Sequence, residues 1–416
     1  MRPAARFLRS PTSPALALAA VVLALSAACG GDDDDGPPGT SAQGAGGEGG
    51  AGPAATADEL LARGPSAVGY RRVEVRYRPA GAAADRVLPV DVWYPARAAG
   101  EPPATYAVGG IVSLPATDAL AAPAPAEGGP FPLAVYSHGS GGEGLLGYPY
   151  AERFASHGWV VASPSHVGNT VLDALAGKAS PATLVALDRP RDVTAVIDFF
   201  AGGPAGDALA GAARVDRVFL FGHSFGGYTT FTGGGVDVDA AKVRADCADV
   251  ASCEALDGPG VEAAYRAGFG DPRVAAIAPQ APALVRFYGE GQLASLGVPT
   301  LLMSGRLDRT TPDAENAAPA WAGLDHPDDL RVELPQGAHF SFVTICDDLP
   351  PGLLGSFQSA AADDGCGPAF TPVAEAVPVL SAYLLGFARW HVLGEARWAP
   401  LLRGAPLHPA FVVSTH

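Results

Sequence analysis

Short apolar runs alternate with stretches long enough for a helix along most of this chain, and that alternation leaves few folds open. The runs are Phe131–Ser137, Trp159–Pro164, Val218–Phe221, Val274–Pro279, Thr300–Ser304 and Leu330–Leu334. They read as strands buried on both faces, as the strands of parallel sheets are. Helices are expected between them at Tyr148–Ser156, Arg189–Phe200, Phe225–Gly233 and Pro312–Ala322, with a last amphipathic helix over about Val379 to Leu393. Strands and helices that alternate in this way build a mostly parallel central sheet flanked by helices on both faces. Before the first run, Val73, Val75 and Tyr77 alternate with polar residues, as do Leu88, Val90, Val92 and Tyr94. Those two segments are expected to form an antiparallel N-terminal edge.

With 48% hydrophobic residues in 416, the chain can bury a large core. Its formal net charge of −16 excludes the basic surface that nucleic-acid binding requires. The same sign disfavours adsorption to anionic lipids.

The N-terminus has the layout of an export signal. Arg2, Arg6 and Arg9 precede an apolar run from Ala15 to Ala28 that is short for a membrane span. The run ends in Leu25-Ser26-Ala27-Ala28-Cys29. This resembles a bacterial lipobox, with Ser26 standing where leucine is usual, and implies lipidation of Cys29 after removal of residues 1–28. Plain secretion, with cleavage near Ala28, is the alternative. Residues 29–57 are rich in Gly, Asp, Pro and Ala and cannot bury apolar area, so they read as a disordered tether ahead of a folded domain over 58–416. Contact with a membrane is expected only through the anchor.

Chemistry centres on Gly222-His223-Ser224-Phe225-Gly226, a G-x-S-x-G motif. The motif alone is weak, but here it follows the apolar Val218–Phe221 run and opens a helix. That context is the nucleophile elbow of the α/β-hydrolase fold, which lifts a serine Oγ above the sheet. A serine hydroxyl needs a base, and this fold supplies its partners in the order Ser, acid, His. Asp308 follows the Thr300–Ser304 run and His339 follows Leu330–Leu334, so they fill the acid and base positions behind Ser224. Asp313, His326 and His391 are rivals. Asp313 is expected to begin a helix, His326 to lie in a polar loop and His391 to pack in the last helix. The loop Ser137-His138-Gly139-Ser140-Gly141-Gly142 lies where the second half of an oxyanion hole belongs. The N–H groups of Ser140 and Phe225 are the expected donors. His138 is expected to fix this loop, and His223 to pack beside the elbow.

Apart from Cys29, the chain has Cys247, Cys253, Cys346 and Cys366. An even number in an exported chain suggests two disulfides. Of the three possible connectivities, Cys247–Cys253 with Cys346–Cys366 closes the shortest loops. Two segments break the β/α alternation: about 235–268, which holds Cys247 and Cys253, and about 347–368, which Cys346 directly precedes and which holds Cys366. Both read as insertions at strand ends, where they would border the active-site crevice.

From about Tyr70 to Leu393 the chain resembles the dienelactone-hydrolase-related family that includes platelet-activating-factor acetylhydrolase-like esterases. The resemblance is carried by Leu88-Pro89-Val90-Asp91-Val92-Trp93-Tyr94-Pro95, by Phe131–Gly139, by Arg189-Pro190-Arg191-Asp192 and by Gly337-Ala338-His339-Phe340-Ser341-Phe342. Cutinase-like polyester hydrolases share a similar elbow. True dienelactone hydrolases carry cysteine where this chain has Ser224. The resemblance implies a cofactor-free serine hydrolase acting on short- or medium-chain acyl esters. A lipid or polyester substrate is the alternative within the class, and a catalytically silent binding protein on the same fold is the alternative outside it.

Overall fold

The computed structural model describes residues 54–416 except 80–83, 111, 204–206, 248 and 349–362. The signal segment 1–28, Cys29, nearly all of the 29–57 tether and the middle of the 347–368 segment therefore lie outside the described residues. The folded unit runs from Ala55 to His416. It opens with a short helix, Ala57–Leu61, capped by Thr56, so the last residues assigned to the tether belong to the fold.

Its strands are β1 (Ala67–Tyr77), β2 (Arg86–Arg97), β3 (Pro103–Val108), β4 (Val112–Ala121), β5 (Ala124–Pro125), β6 (Phe131–Ser137), β7 (Val160–Pro164), β8 (Ala213–His223), β9 (Val274–Gln280), β10 (Leu301–Gly305), β11 (Leu330–Leu334) and β12 (Val412–Thr415). They join one 12-stranded sheet in the order β12-β11-β10-β9-β8-β6-β7-β2-β1-β4-β3, with β5 paired to β2. The strands from β7 to β11 along this path are mutually parallel. β1 and β2 are antiparallel, as their alternation predicts. The N-terminal edge is more mixed than expected, because β4 pairs with β1 in parallel and β3 returns antiparallel to it.

Successive side chains of a strand point to opposite faces, so each inner strand feeds two cores. On β8, Val218 and Leu220 pack towards the Ala182–Gly202 and Phe225–Gly234 helices. Phe219 and Phe221 pack towards the Tyr148–Ser156 and Val373–Leu393 helices. β11 departs from the expectation of a strand buried on both faces. Its Arg331 and Glu333 are partly exposed, and they pair with Asp313 and Arg306. Only β12 lies beyond it, so one face near this edge is wet. The expected Pro312–Ala322 helix is instead a 3-10 turn at Asp313–Glu315 followed by a helix over Ala317–Gly323. The insertion after the elbow helix folds as three short helices, Ala240–Asp246, Val250–Ala255 and Val261–Arg266.

Candidate active site

β8 ends at His223 and a helix starts at Phe225, so Ser224 alone makes the turn between them, at φ 59° and ψ −115°. Such a backbone is costly for a residue with a Cβ and persists only when its surroundings hold it. The Ser224 N–H donates to Gln280 O at 2.9 Å. The Ser224 carbonyl accepts from the N–H of Gly227 at 2.8 Å and of Ala283 at 3.1 Å. The glycines flanking the serine are needed for space. A Cβ at Gly226 would lie 1.8 Å from the Ser137 carbonyl oxygen, and one at Gly222 would lie 2.5 Å from the same atom.

Ser224, His339 and Asp308 meet above the ends of β8, β11 and β10. Ser224 Oγ is 2.9 Å from His339 Nε2, and Asp308 Oδ2 is 2.9 Å from His339 Nδ1. The geometry suits a hydroxyl donating to Nε2 and an Nδ1–H donating to the carboxylate. Thr311 completes the acid's seat: its N–H donates to Asp308 Oδ1 at 2.6 Å, and its Oγ1 lies 2.8 Å from Oδ2. All three side chains are nearly buried, which strengthens electrostatic interactions among them.

The loop after β6 packs against the elbow, with the Cβ position of Gly139 3.4 Å from Ser224 Cβ. Gly139 O lies 2.7 Å from His138 Nδ1 and accepts from the Gly142 N–H at 3.1 Å. In a planar trans peptide the N–H points opposite to the carbonyl, so the Ser140 N–H faces away from those partners. Among the described residues, no acceptor takes the N–H of Ser140 or of Phe225.

Beneath this loop runs a buried polar network that sequence reasoning missed. Arg189, fully buried, donates to the His138 carbonyl, to Ser137 Oγ (3.2 Å), to Asn169 Oδ1 (2.6 Å) and to Thr229 Oγ1 (3.1 Å). Burial pushes its pKa down to about 9, so it stays charged at neutral pH. Ser137 Oγ lies 2.9 Å from His166 Nε2, and His166 Nδ1 lies 2.9 Å from Asp192 Oδ2. Asp192 also accepts from the Tyr77 hydroxyl and, as a bidentate pair, from Arg86 Nε and Nη2. Burial alone would raise the Asp192 pKa, but the bonds from Arg86 and His166 hold it below its usual value. Burial, with the nearby Arg189 charge, pulls His166 down to about 3 and His138 well below its usual value. Both rings are therefore neutral and serve as fixed struts. The Arg189-Pro190-Arg191-Asp192 stretch was visible in the sequence. What it braces was not, because its partners come from strands, loops and a helix far away in the chain.

The other candidates are placed elsewhere. His223 Nε2 lies 2.8 Å from the His339 carbonyl, and burial holds its ring neutral, so it packs beside the elbow. Asp313 pairs with Arg331. His326 accepts at Nδ1 from the Asp328 N–H in its loop. His391 stacks on Trp390 in the Val373–Leu393 helix. Both disulfides have the expected pairing, Cys247–Cys253 and Cys346–Cys366. Such bonds fit a protein that matures in an oxidising compartment. Asp364, inside the second disulfide loop, touches the segments carrying both Asp308 and His339 and was also missed.

No protein-family model matches the chain, and no curated protein does. Among solved structures, a ferulic acid esterase from Streptomyces cinnamoneus is similar with a TM-score of 0.59. The match covers 85% of this chain and 97% of that one at 22% identity. The chain has the α/β-hydrolase fold. In an α/β-hydrolase fold the elbow, the acid and the histidine follow in chain order at strand ends, and Ser224, Asp308 and His339 stand in that order here. The fold is shared by 446 matching chains of solved structures, so by itself it selects no substrate.

Proposed function

We propose that this protein is an exported serine hydrolase that cleaves carboxylic esters through an acyl-enzyme on Ser224. The observation that carries the reading is a single imidazole, His339, bridging the Ser224 hydroxyl and the Asp308 carboxylate at 2.9 Å on each side. In this mechanism Ser224 Oγ attacks the ester carbonyl while its proton passes to His339 Nε2. Asp308 holds the Nδ1–H tautomer and offsets the imidazolium charge. The negative oxygen of the tetrahedral intermediate is received by the N–H groups of Phe225 and Ser140. Collapse breaks the ester bond, and the departing alkoxide takes the proton from His339. Water then repeats the sequence and releases the acid.

The resemblance to dienelactone-hydrolase-related esterases supports a short- or medium-chain acyl group. The solved neighbour is named for ferulic acid, which favours a second reading with a phenolic acyl group. Nitrophenyl esters from acetate to palmitate, with methyl ferulate, a short-chain phospholipid and a polyester film, would separate these. The expected result is a maximum in kcat/KM at short to medium acyl chains, with palmitate slower by about tenfold or more, since each misfitted methylene carries a cost of that order. A maximum on the ferulate, the phospholipid or the film would replace the substrate while keeping the mechanism. No turnover on any ester would favour a binding protein.

We further propose that the mature protein is held at a bacterial envelope membrane through lipidated Cys29, with the Gly- and Asp-rich residues after it as a spacer. In a bacterium with a lipoprotein pathway, the wild type should sediment with membranes and Cys29→Ser should shift it to the soluble fraction. A wild type that is fully soluble, with an unmodified N-terminus, would reject the anchor.

A further inference from the structure

The second disulfide loop does more than border the site. Its Asp364 is buried, and its carboxylate is shared between the two loops that carry the acid and the base. On the acid side, Oδ1 accepts from the Arg309 N–H at 3.0 Å, and Oδ2 accepts from the Thr310 N–H at 2.8 Å and the Thr310 hydroxyl at 2.7 Å. Those residues directly follow Asp308 and precede Thr311, which seats it. On the base side, Oδ1 also receives the His339 N–H at 3.4 Å, and the Asp364 carbonyl accepts the Phe340 N–H at 2.9 Å. A negative group that collects backbone donors from two segments fixes their spacing.

Gly365 shows how tightly the segment is seated. It lies at φ +129°, and a Cβ there would stand 2.8 Å from the backbone nitrogens of both Phe340 and Ser341. Only glycine lets the Asp364 backbone approach the His339 turn this closely. The next residue, Cys366, is bonded to Cys346, which follows that turn. The cross-link therefore holds the Asp364-Gly365 pair against the loop it braces.

We propose that Asp364 is a positioning residue that sets the distance between Asp308 and His339, held in place by the Cys346–Cys366 disulfide. It touches neither the Ser224 hydroxyl nor the His339 ring, so it acts through the two loops. The inference rests on the reading of Ser224, His339 and Asp308 as a catalytic triad. It predicts a loss in kcat rather than in substrate binding, because the pocket is left in place while the proton relay is misaligned. Misplacements of about 1 Å can cost about 100-fold in rate.

The test uses the full chain and five variants, followed with nitrophenyl acetate and with a fluorophosphonate probe at Ser224. Asp364→Ala should lower kcat and the labelling rate by about 100-fold, with KM within about twofold of the wild type. Asp364→Asn keeps the size and one acceptor oxygen and should recover about tenfold of that loss. Its thermal midpoint also guards against misreading an unfolded alanine variant. Asp363→Asn removes the exposed neighbouring charge and should leave both rates unchanged. Pairing Asp364→Ala with Cys346→Ser/Cys366→Ser should cost much less than the product of the separate effects, since both act on one brace. A folded Asp364→Asn or Asp364→Ala that labels and turns over at the wild-type rate would overturn the proposal. So would an equal loss in Asp363→Asn, or effects that simply multiply. A wild type that the probe does not label at Ser224 would overturn the triad reading instead, before any variant is compared.

Discussion

Ser224→Ala is expected to lower kcat on any ester substrate by roughly four to six orders of magnitude. Ser224 Oγ lies 2.9 Å from His339 Nε2, and on the proposed mechanism its loss leaves that base nothing to activate except water. Residual turnover should come from the N–H groups of Phe225 and Ser140, which the substitution does not touch. The fold should be spared. The backbone bonds to Gln280, Gly227 and Ala283 that hold the turn involve only main-chain atoms of residue 224. Alanine accepts the same positive φ at similar cost, so the thermal midpoint should stay within about 2 °C. A fluorophosphonate should label the wild type at Ser224 and leave the variant unlabelled. A folded Ser224→Ala enzyme with ordinary activity would end the proposal.

Asp308→Asn should cost nearly as much, about 10⁴ in kcat, although it changes one atom. The direction follows from the donors around the carboxylate. The Thr311 N–H points at Oδ1 and needs an acceptor, so the asparagine carbonyl oxygen would settle there. The amide nitrogen would then occupy the Oδ2 position, 2.9 Å from His339 Nδ1. A donor facing Nδ1 forces that nitrogen to accept, and the ring proton moves to Nε2. An Nε2–H cannot take the Ser224 proton. KM should change little, since neither group lines a binding wall by this argument. Activity within tenfold of the wild type would show that Asp308 is not the group that orients the base.

Much of the scaffold was legible because it rests on local patterns. The β6, β9 and β11 runs, the Tyr148–Ser156 helix and the elbow are continuous in sequence and lie within a residue or so of their expected limits. The Ala182–Gly202 helix was read too short. Pro190 and the charged residues around it look like a helix start, yet Arg189 and Asp192 are buried in a polar network that rewards continuing the helix. β3, β4, β5 and β12 were missed: β3 and β12 are edge strands, β4 lies one strand in from the edge, β5 is two residues long, and none carries a clear apolar alternation of its own. The same reasoning applies to the site. Ser224, Asp308 and His339 each stand at the end of a recognisable strand. Thr311 carried a faint local signal, a hydroxyl three residues after the acid. Asp364 carried none, because its meaning lies in donors from Arg309, Thr310 and His339.

The parallel arrangement of β6, β8, β9, β10 and β11 also bears on how the chain reaches its native state. Parallel neighbours cannot be joined by a hairpin, so each pairing must wait for a crossover to close. The contact between Ser224 and His339 spans 115 residues, and the brace from Asp364 to Thr310 spans another 54. Chains dominated by such distant contacts fold slowly, and their helices form well before their sheets are complete. The Ser224–His339 contact needs the whole β8-to-β11 array and the loop behind it, so it should be among the last to appear. During refolding, helical circular dichroism would recover ahead of the proposed esterase activity. Activity would therefore report full assembly, where helix content would count partly folded chains as native.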